Sequence, residues 1–346
     1  MLNSTKNELS ISTVSIIKIV VLLFFFYLLY LTINIILVLF ISFILFSALN
    51  PLVNKLYRYN IPRPVGVAII YLFLFVIIVS VFILIVPIII NQVSDLIKTF
   101  PDYLDKTFTS FLQLKEYSNK YGIEENIQND LNMLKAGIGG GVKGIISIMV
   151  EIFGGLLSFI TILVISFYML IDKSFINKMA QNIVPSNYRK YFVKLLNKIK
   201  DKLGGWARAQ TLLCFIIFIL TFIALSIFKM KYALVLALIA GLTEFIPFLG
   251  PIIGAIPAVF LALFQSLSTA FIVIIIYVII QQFEGNILVP QIMKRVIGVN
   301  PIISLVSLTA GFEIGGTLGA ILAIPLVVSI IVILNFLPKI ESKNKI

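Results

Sequence analysis

The chain has 346 residues, 60% of them hydrophobic and only 12% charged, with a formal net charge of +12 and a mean hydropathy of +1.11. Soluble domains carry roughly a quarter of their residues as charges, so this composition excludes one and predicts an all-α polytopic membrane protein. The absence of histidine excludes His-based acid–base catalysis and most zinc sites. The single cysteine, Cys214, excludes a disulfide within the chain.

A helix needs about 20 apolar residues to cross a hydrocarbon core of about 30 Å. No Lys, Arg, Asp or Glu occurs from Ile19 to Asn54, Pro64 to Ser94, Ala209 to Phe228 or Phe245 to Phe283. Runs that long and continuous predict helices, since barrel strands would be short and alternating. The polar start, Met1 to Ser12, precedes an apolar run too long for a cleaved signal peptide. The block from Thr13 to Asn50 is long enough for two crossings, with a tight hairpin expected at Thr32-Ile33-Asn34. A third span, Pro64 to Ile90, completes an N-terminal unit of three helices over residues 1–90.

Residues 91–143 are hydrophilic, with Leu96, Phe100, Leu104, Phe108, Phe111 and Leu112 at helical spacing. They predict an amphipathic helical segment outside the cytoplasm, with six lysines against seven acids. The glycines from Gly137 to Gly144 surround Lys143 without Walker A spacing, so ATP hydrolysis by that route is excluded. A fourth span covers 144–171. Residues 172–208 carry nine Lys or Arg against Asp172 and Asp201. This segment is expected to be a basic amphipathic helix on the cytoplasmic side. Arg189, Lys190, Lys194 and Lys198 would face anionic lipid headgroups, with Trp206 near headgroup depth. Membrane tethering argues against nucleic acid as its partner. The fifth span is Ala209 to Phe228. Lys55, Arg58 and Arg63 fall on the same side as the basic segment, so the N-terminus and the basic loops are expected in the cytoplasm.

The last third, within 209–346, is expected to be the transport core. The block Tyr232 to Phe264 is interrupted at Glu244-Phe-Ile-Pro-Phe-Leu-Gly-Pro251, where Pro247 and Pro251 remove backbone donors and Gly250 relaxes the chain. An uninterrupted helix, Thr269 to Phe283, follows. It ends in the polar string Gln281-Gln282-Phe283-Glu284-Gly285-Asn286, with Pro290 beyond. The block Pro301 to Leu337 is interrupted from Gly311 through Glu313 to Gly319. The fold expected is five ordinary transmembrane helices, then two interrupted helical hairpins, re-entrant from opposite sides, flanking one further span. Eight full crossings are the alternative. Lys294 and Arg295 would face the cytoplasm in the first wiring and the outside in the second. Glu244, Glu284 and Glu313 each lie beside a Pro or Gly break. A carboxylate at membrane depth costs at least about 2.5 kcal/mol on insertion scales, so all three are candidate transport or coupling groups. The bland reading is a carboxylate that caps a broken helix.

The strings GLTEFIPFLGPIIGAIPAVFLAL (Gly241 to Leu263), QQFEGNILVPQIMKRVIGVNP (Gln281 to Pro301) and GGTLGAILAIPLV (Gly315 to Val327) resemble the AI-2E transporter family. LNPLVNKLYRYNIPR (Leu49 to Arg63) and LGGWARAQ (Leu203 to Gln210) are similar to it as well. The resemblance implies a polytopic inner-membrane permease without ATPase machinery. Members export the furanone signal autoinducer-2 or exchange sodium or lithium for protons, and the family resemblance suggests a homo-oligomer, a pentamer. By position the family motif falls on Glu244, Pro247, Gly250, Pro251, Gln282, Glu284, Gly285, Asn286, Pro290, Pro301, Gly315, Gly319 and Pro325. Phe248 stands where members often have Tyr, so a hydroxyl donor is missing there.

These readings predict a secondary transporter rather than an enzyme, needing no cofactor or metal. It would move a small polar solute, Na+ or H+ by alternating access, with Glu244 and Glu284 as coupling carboxylates and the broken helices' backbone as solute ligands. An oligomeric channel and a non-transporting scaffold are the alternatives.

Overall fold

A computed structural model describes residues 13–80, 156–247, 249–293 and 301–336, together with Ile83, Pro87 and Asn91. The expected extracytoplasmic segment 91–143, the start of the fourth span, Phe248, Lys294 and Arg295 lie outside the described residues. Every described element is a helix or a turn, as the hydropathy requires.

The first helix, α1, runs unbroken over Thr13–Arg58, 46 residues. The tight hairpin expected at Thr32 to Asn34 is not there. The Thr32 hydroxyl donates to Leu28 O at 2.8 Å, so its polar group is satisfied within its own helix and does not force a turn. Pro51, inside α1, also fails to end it. After a turn at Asn60, which takes φ 62, α2 spans Arg63–Ser80. Leu72, Phe73 and Phe75 of α2 are exposed, as lipid-facing side chains are.

The helix α3, Leu156–Ile171, meets α4, Phe175–Ile183, at a 97° bend. Asp172 builds this elbow. Its Oδ1 accepts from the Ser174 amide at 2.9 Å and hydroxyl at 2.7 Å, and its Oδ2 from Lys178 Nζ at 2.7 Å. These bonds, Lys178 foremost, hold the Asp172 carboxyl well below the usual range, at about 2.

The next helix, α5, covers Ser186–Ile227 in 42 residues. One basic helix over 172–208 was expected, followed by a separate span. The chain breaks earlier instead, because Pro185 holds Val184 extended at φ −119 and ψ 133. It does not break near Ala209, so the basic segment and the fifth span form one rod of about 63 Å at 1.5 Å per residue. The rod is central: α1, α4, α6, α8, α9 and α10 all pack on it. Trp206, expected at headgroup depth, lies 3% exposed in a core with Ile44, Leu203, Leu322 and Val328. The Lys190, Lys194 and Lys198 side chains are exposed. Arg189 is exposed too, but it donates to Val184 O and Gln181 O at 3.1 Å each, closing the end of α4.

Two short helices follow, α6 (Ala233–Thr243) and α7 (Gly250–Gln265). Eleven and 16 residues give about 16 and 24 Å of rise, each short of a full crossing. They fold back on one another: a Cβ added at Gly254 would lie 2.9 Å from the Ala240 Cα. The helix α8, Leu267–Phe283, continues through a wide π turn, Glu284–Leu288, into α9, Val289–Met293. The polar string therefore does not end this helix. The Val289 amide reaches Glu284 O, five residues back, and the wider turn tolerates Pro290, which has no amide hydrogen to give.

The last helix, α10, covers Pro301–Phe336 and reverses direction inside itself. Gly316 takes φ 59 and ψ −145, a conformation open essentially to glycine alone. Gly311 and Gly319 lie so close that a Cβ at Gly311 would sit 2.5 Å from Gly319 O, and one at Gly319 would collide with Gly311 O. In a straight helix these residues would stand about 12 Å apart. Both interrupted blocks are thus helical hairpins.

Five described helices are long and apolar enough to cross a membrane: Leu31–Arg58, Arg63–Ser80, Ser186–Ile227, Leu267–Met293 and Ile302–Phe336, with the α3–α4 pair a bent sixth. The Ile302–Phe336 segment is the hairpin just described, so its length overstates the distance it reaches. The chain is a multi-pass membrane protein.

Candidate functional site

Helix ends leave their last carbonyls without partners. The end of α6 is no exception, and the Glu244 carbonyl there is taken by a side chain from another helix. Gln210 of α5, 2% exposed, donates its Nε2 to Glu244 O at 2.6 Å. The amide of Gln210 also contacts the Cys214 thiol one turn on. The break between α6 and α7 is therefore seated on the central rod by a specific bond.

The Glu244 side chain turns inward from this break and is 2% exposed; Glu284, at the start of the π turn, is 6% exposed. Their carboxyls lie against one another. A carboxylate has no hydrogen to donate, so the two can share a hydrogen bond only while at least one of them carries its proton. Losing that proton leaves two like charges side by side in an apolar core. Glu244 Oε2 is buried without a hydrogen-bond partner among the described residues. The helices that carry the pair share one continuous apolar cluster, which includes Leu213, Ile217, Ala240, Ala258, Val273 and Leu288. Within that setting the pair is a place where a proton, or a cation in its stead, can be held between two acids.

Tyr277 and Gln281 lie seven and three residues before Glu284, on the same side of α8. Tyr277 Oη and Gln281 Oε1 are buried without hydrogen-bond partners among the described residues. Both face an apolar cavity of about 680 Å³ between α7 and α8, walled by Pro251, Ala255, Val259 and Leu263.

Other sequence candidates stand apart from the pair. Glu313 is exposed beside the Gly315–Gly316 reversal. Gln282 and Asn286 are exposed, and Asn286 Nδ2 donates to Gln282 Oε1 at 2.9 Å. Gly285 has open space around it. Pro247 lies in the turn between α6 and α7, where Pro251 opens α7 and the Gly250 amide donates to Ile246 O at 2.7 Å. Pro325 is fully buried within α10, and its carbonyl accepts from Ser329 at 2.8 Å. Gln210, Tyr277 and Gln281 were not singled out as site residues from the sequence. Helical arithmetic from Glu284 finds the last two, and a lone Gln at the head of an apolar span was the signal for the first.

The model of a family described as AI-2E family transporter matches residues 19–339. YrrI of Bacillus subtilis (strain 168), provisionally named a transport protein, is 30% identical over 279 residues, covering 80% of this chain and 79% of its own. A sodium-lithium/proton antiporter of Halobacillus andaensis is 24% identical over 303 residues, 81% of this chain and 84% of its own. The AI-2 transport protein TqsA of Escherichia coli (strain K12) is 23% identical over 281 residues, 81% of this chain and 79% of its own.

Proposed function

The chain belongs to the AI-2E transporter family, and from that premise we propose that it is a secondary transporter of the inner membrane in which the Glu244–Glu284 pair couples a proton to the movement of a small polar solute or a cation. The family is one of transporters, not enzymes. One observation carries the reading: two carboxyls from separate elements, a hairpin break and a π turn, are buried against one another. In this reading both helical hairpins are re-entrant, and their freed backbone groups line the path of the solute. Exchange of one proton for the solute needs a site that reaches one side at a time, and the α6–α7 break, seated on α5 by the Gln210 bond, is the element that moves.

An autoinducer-2-like furanone is the solute the TqsA likeness suggests. Exchange of sodium or lithium for protons is the second reading, and the carboxyl pair favours it, because carboxylate oxygens are hard ligands suited to such cations. Glu313, Gln282 and Asn286 enter either scheme as groups at the mouths of the path. Lys190, Lys194 and Lys198 rest on anionic headgroups at the cytoplasmic face, and the assembly is a homo-oligomer, pentameric by resemblance.

Reconstituted vesicles test the proposal. Glu284→Gln keeps one hydrogen-bonding group at the position, so folding and assembly should survive while proton-driven flux is lost. Flux at the wild-type rate in that variant overturns the coupling role. Unitary currents above about 10⁴ ions per second would replace alternating access with a pore, since collective motions take microseconds to milliseconds or longer. A cysteine at Lys294, in a Cys214→Ser background, should be labelled from the cytoplasmic side. Labelling only from outside restores the eight-crossing wiring.

A further inference from the structure

The stretch from Leu49 to Arg63 takes no part in the carboxyl pair, yet it builds one wall of a second cavity. This cavity, about 210 Å³, opens where the end of α1, the start of α2, the α3–α4 elbow and the basic half of α5 meet. Arg63 anchors it. Arg63 Nε donates to Leu170 O at 2.7 Å, Nη1 to Asn54 Oδ1 at 3.1 Å and Nη2 to Asn50 Oδ1 at 2.9 Å. Both asparagines thus spend their carbonyl oxygens on Arg63 and keep their NH₂ donors.

The other polar groups of the wall follow the same rule. Lys200 Nζ gives one hydrogen to Asn197 Oδ1 at 2.9 Å, and an ammonium has three. Lys173 also lines the cavity, its Nζ 5.5 Å from the centre of the Tyr57 ring. Asp172, the one acid, has its Oδ1 accepting from Ser174 and its Oδ2 from Lys178. Donors thus outnumber open acceptors in the cavity, where Asn177 adds one amide with both, and its ionisable wall, Arg63, Lys173 and Lys200 against Asp172, carries three positive charges to one negative, with Asp201 3.9 Å from Lys200 Nζ behind it. Drug-sized ligands need roughly 300 Å³ or more, so the space suits a compact group.

We propose that this cavity binds a phosphate-type oxyanion, carried either by a lipid headgroup or by free phosphate. Lys173, Lys200 and the Asn50 and Asn54 amides donate to its oxygens, while Arg63 holds the two amides in place. The site is separate from the exposed row of Lys190, Lys194 and Lys198, and it does not depend on which solute is transported.

The test uses the full chain, purified in detergent at fixed ionic strength. One arm titrates inorganic phosphate by calorimetry. The other counts retained phosphatidylglycerol against phosphatidylcholine by native mass spectrometry. Binding in the first arm alone assigns the site to free phosphate, and in the second alone to the headgroup; either result supports an oxyanion site. Each hydrogen bond to a charged group contributes enough that the double variant Lys173→Gln/Lys200→Gln should bind at least about tenfold more weakly. Lys173→Arg/Lys200→Arg should restore binding, which separates loss of the site from loss of the fold. A Lys229→Gln/Lys231→Gln variant, changed at exposed lysines in the turn between α5 and α6, should bind as wild type. No binding in either arm, wild-type binding by the double Gln variant, or an equal loss in the Lys229→Gln/Lys231→Gln variant overturns the proposal.

Discussion

Gln210→Leu isolates the bond that seats the first hairpin on the central rod. Leucine keeps nearly the same volume in a site 2% exposed, so no large cavity forms and the lost group is the amide. The Glu244 carbonyl, bonded at 2.6 Å in the native chain, is then left without a donor in an interior that water does not reach. Leaving one buried acceptor unsatisfied costs about 1–3 kcal/mol, which lowers the folded-to-unfolded ratio by roughly 5- to 150-fold. Thermal or SDS titration of the purified protein reads that loss, and Thr211→Val, at the exposed neighbouring position where the hydroxyl donates to Ala207 O at 2.8 Å within the helix, serves as the control. Gln210→Glu gives a sharper contrast, since it preserves shape but replaces a donor with an acceptor facing a carbonyl, and should be worse than leucine. Equal stability of Gln210→Leu and wild type would refute the claim that this amide supports the break. Unchanged transport in a destabilised Gln210→Leu protein would separate the bond's structural role from any part in gating.

Further outcomes follow from other residues. Gly316→Ala should destabilise by about 1–3 kcal/mol, because φ 59 with ψ −145 is closed to a Cβ; differential scanning fluorimetry checks it. Gly319→Val should cost more and shift cross-linking between the two arms of α10, since its side chain would occupy the Gly311 carbonyl. Asp172→Asn should be less stable than wild type at neutral pH. The native carboxyl is held down to about 2, so its contribution is present above the unfolded carboxylate range and fades as pH falls toward 2. The gap between variant and wild type should therefore close in acid, as followed by helix content against pH.

Much of the architecture was legible before any coordinates. Charge-free runs mark spans because the bilayer tolerates few charges, and Pro247, Pro251 and the Gly315–Gly319 cluster mark breaks because the backbone there cannot complete a helix. The same logic overreached at Thr32 to Asn34, where a hydroxyl bonded within its own helix removed the need for a turn, and at Ala209, where nothing interrupts α5. It fell short at the polar string after Phe283, since a π turn carries the helix past Pro290. Three acids stood out, but only tertiary contact distinguishes them. Glu244 and Glu284 are 40 positions apart in sequence and meet because α6 and α8 both lie on α5, while Glu313 stays exposed at its own reversal. Gln210 looked like one polar residue at the edge of a span, and its partner is a backbone carbonyl, which no side-chain pattern announces.

The uninterrupted α5 makes the molecule a lever as well as a bundle. Lys200 and Asn197 in the oxyanion cavity and Gln210 under the hairpin belong to one ladder of hydrogen bonds, with Lys200 and Gln210 about 15 Å apart along the axis. Between them the helix runs on without a break through Gly204 and Gly205. A tilt of about 5° around the rod's Ile227 end moves Gln210, about 26 Å away, by about 2 Å, enough to break a bond of 2.6 Å at Glu244 O. Occupancy at the basic end and the position of the hairpin are thereby tied mechanically, and charge at the membrane surface reaches the buried acids through the stiffness of a single helix.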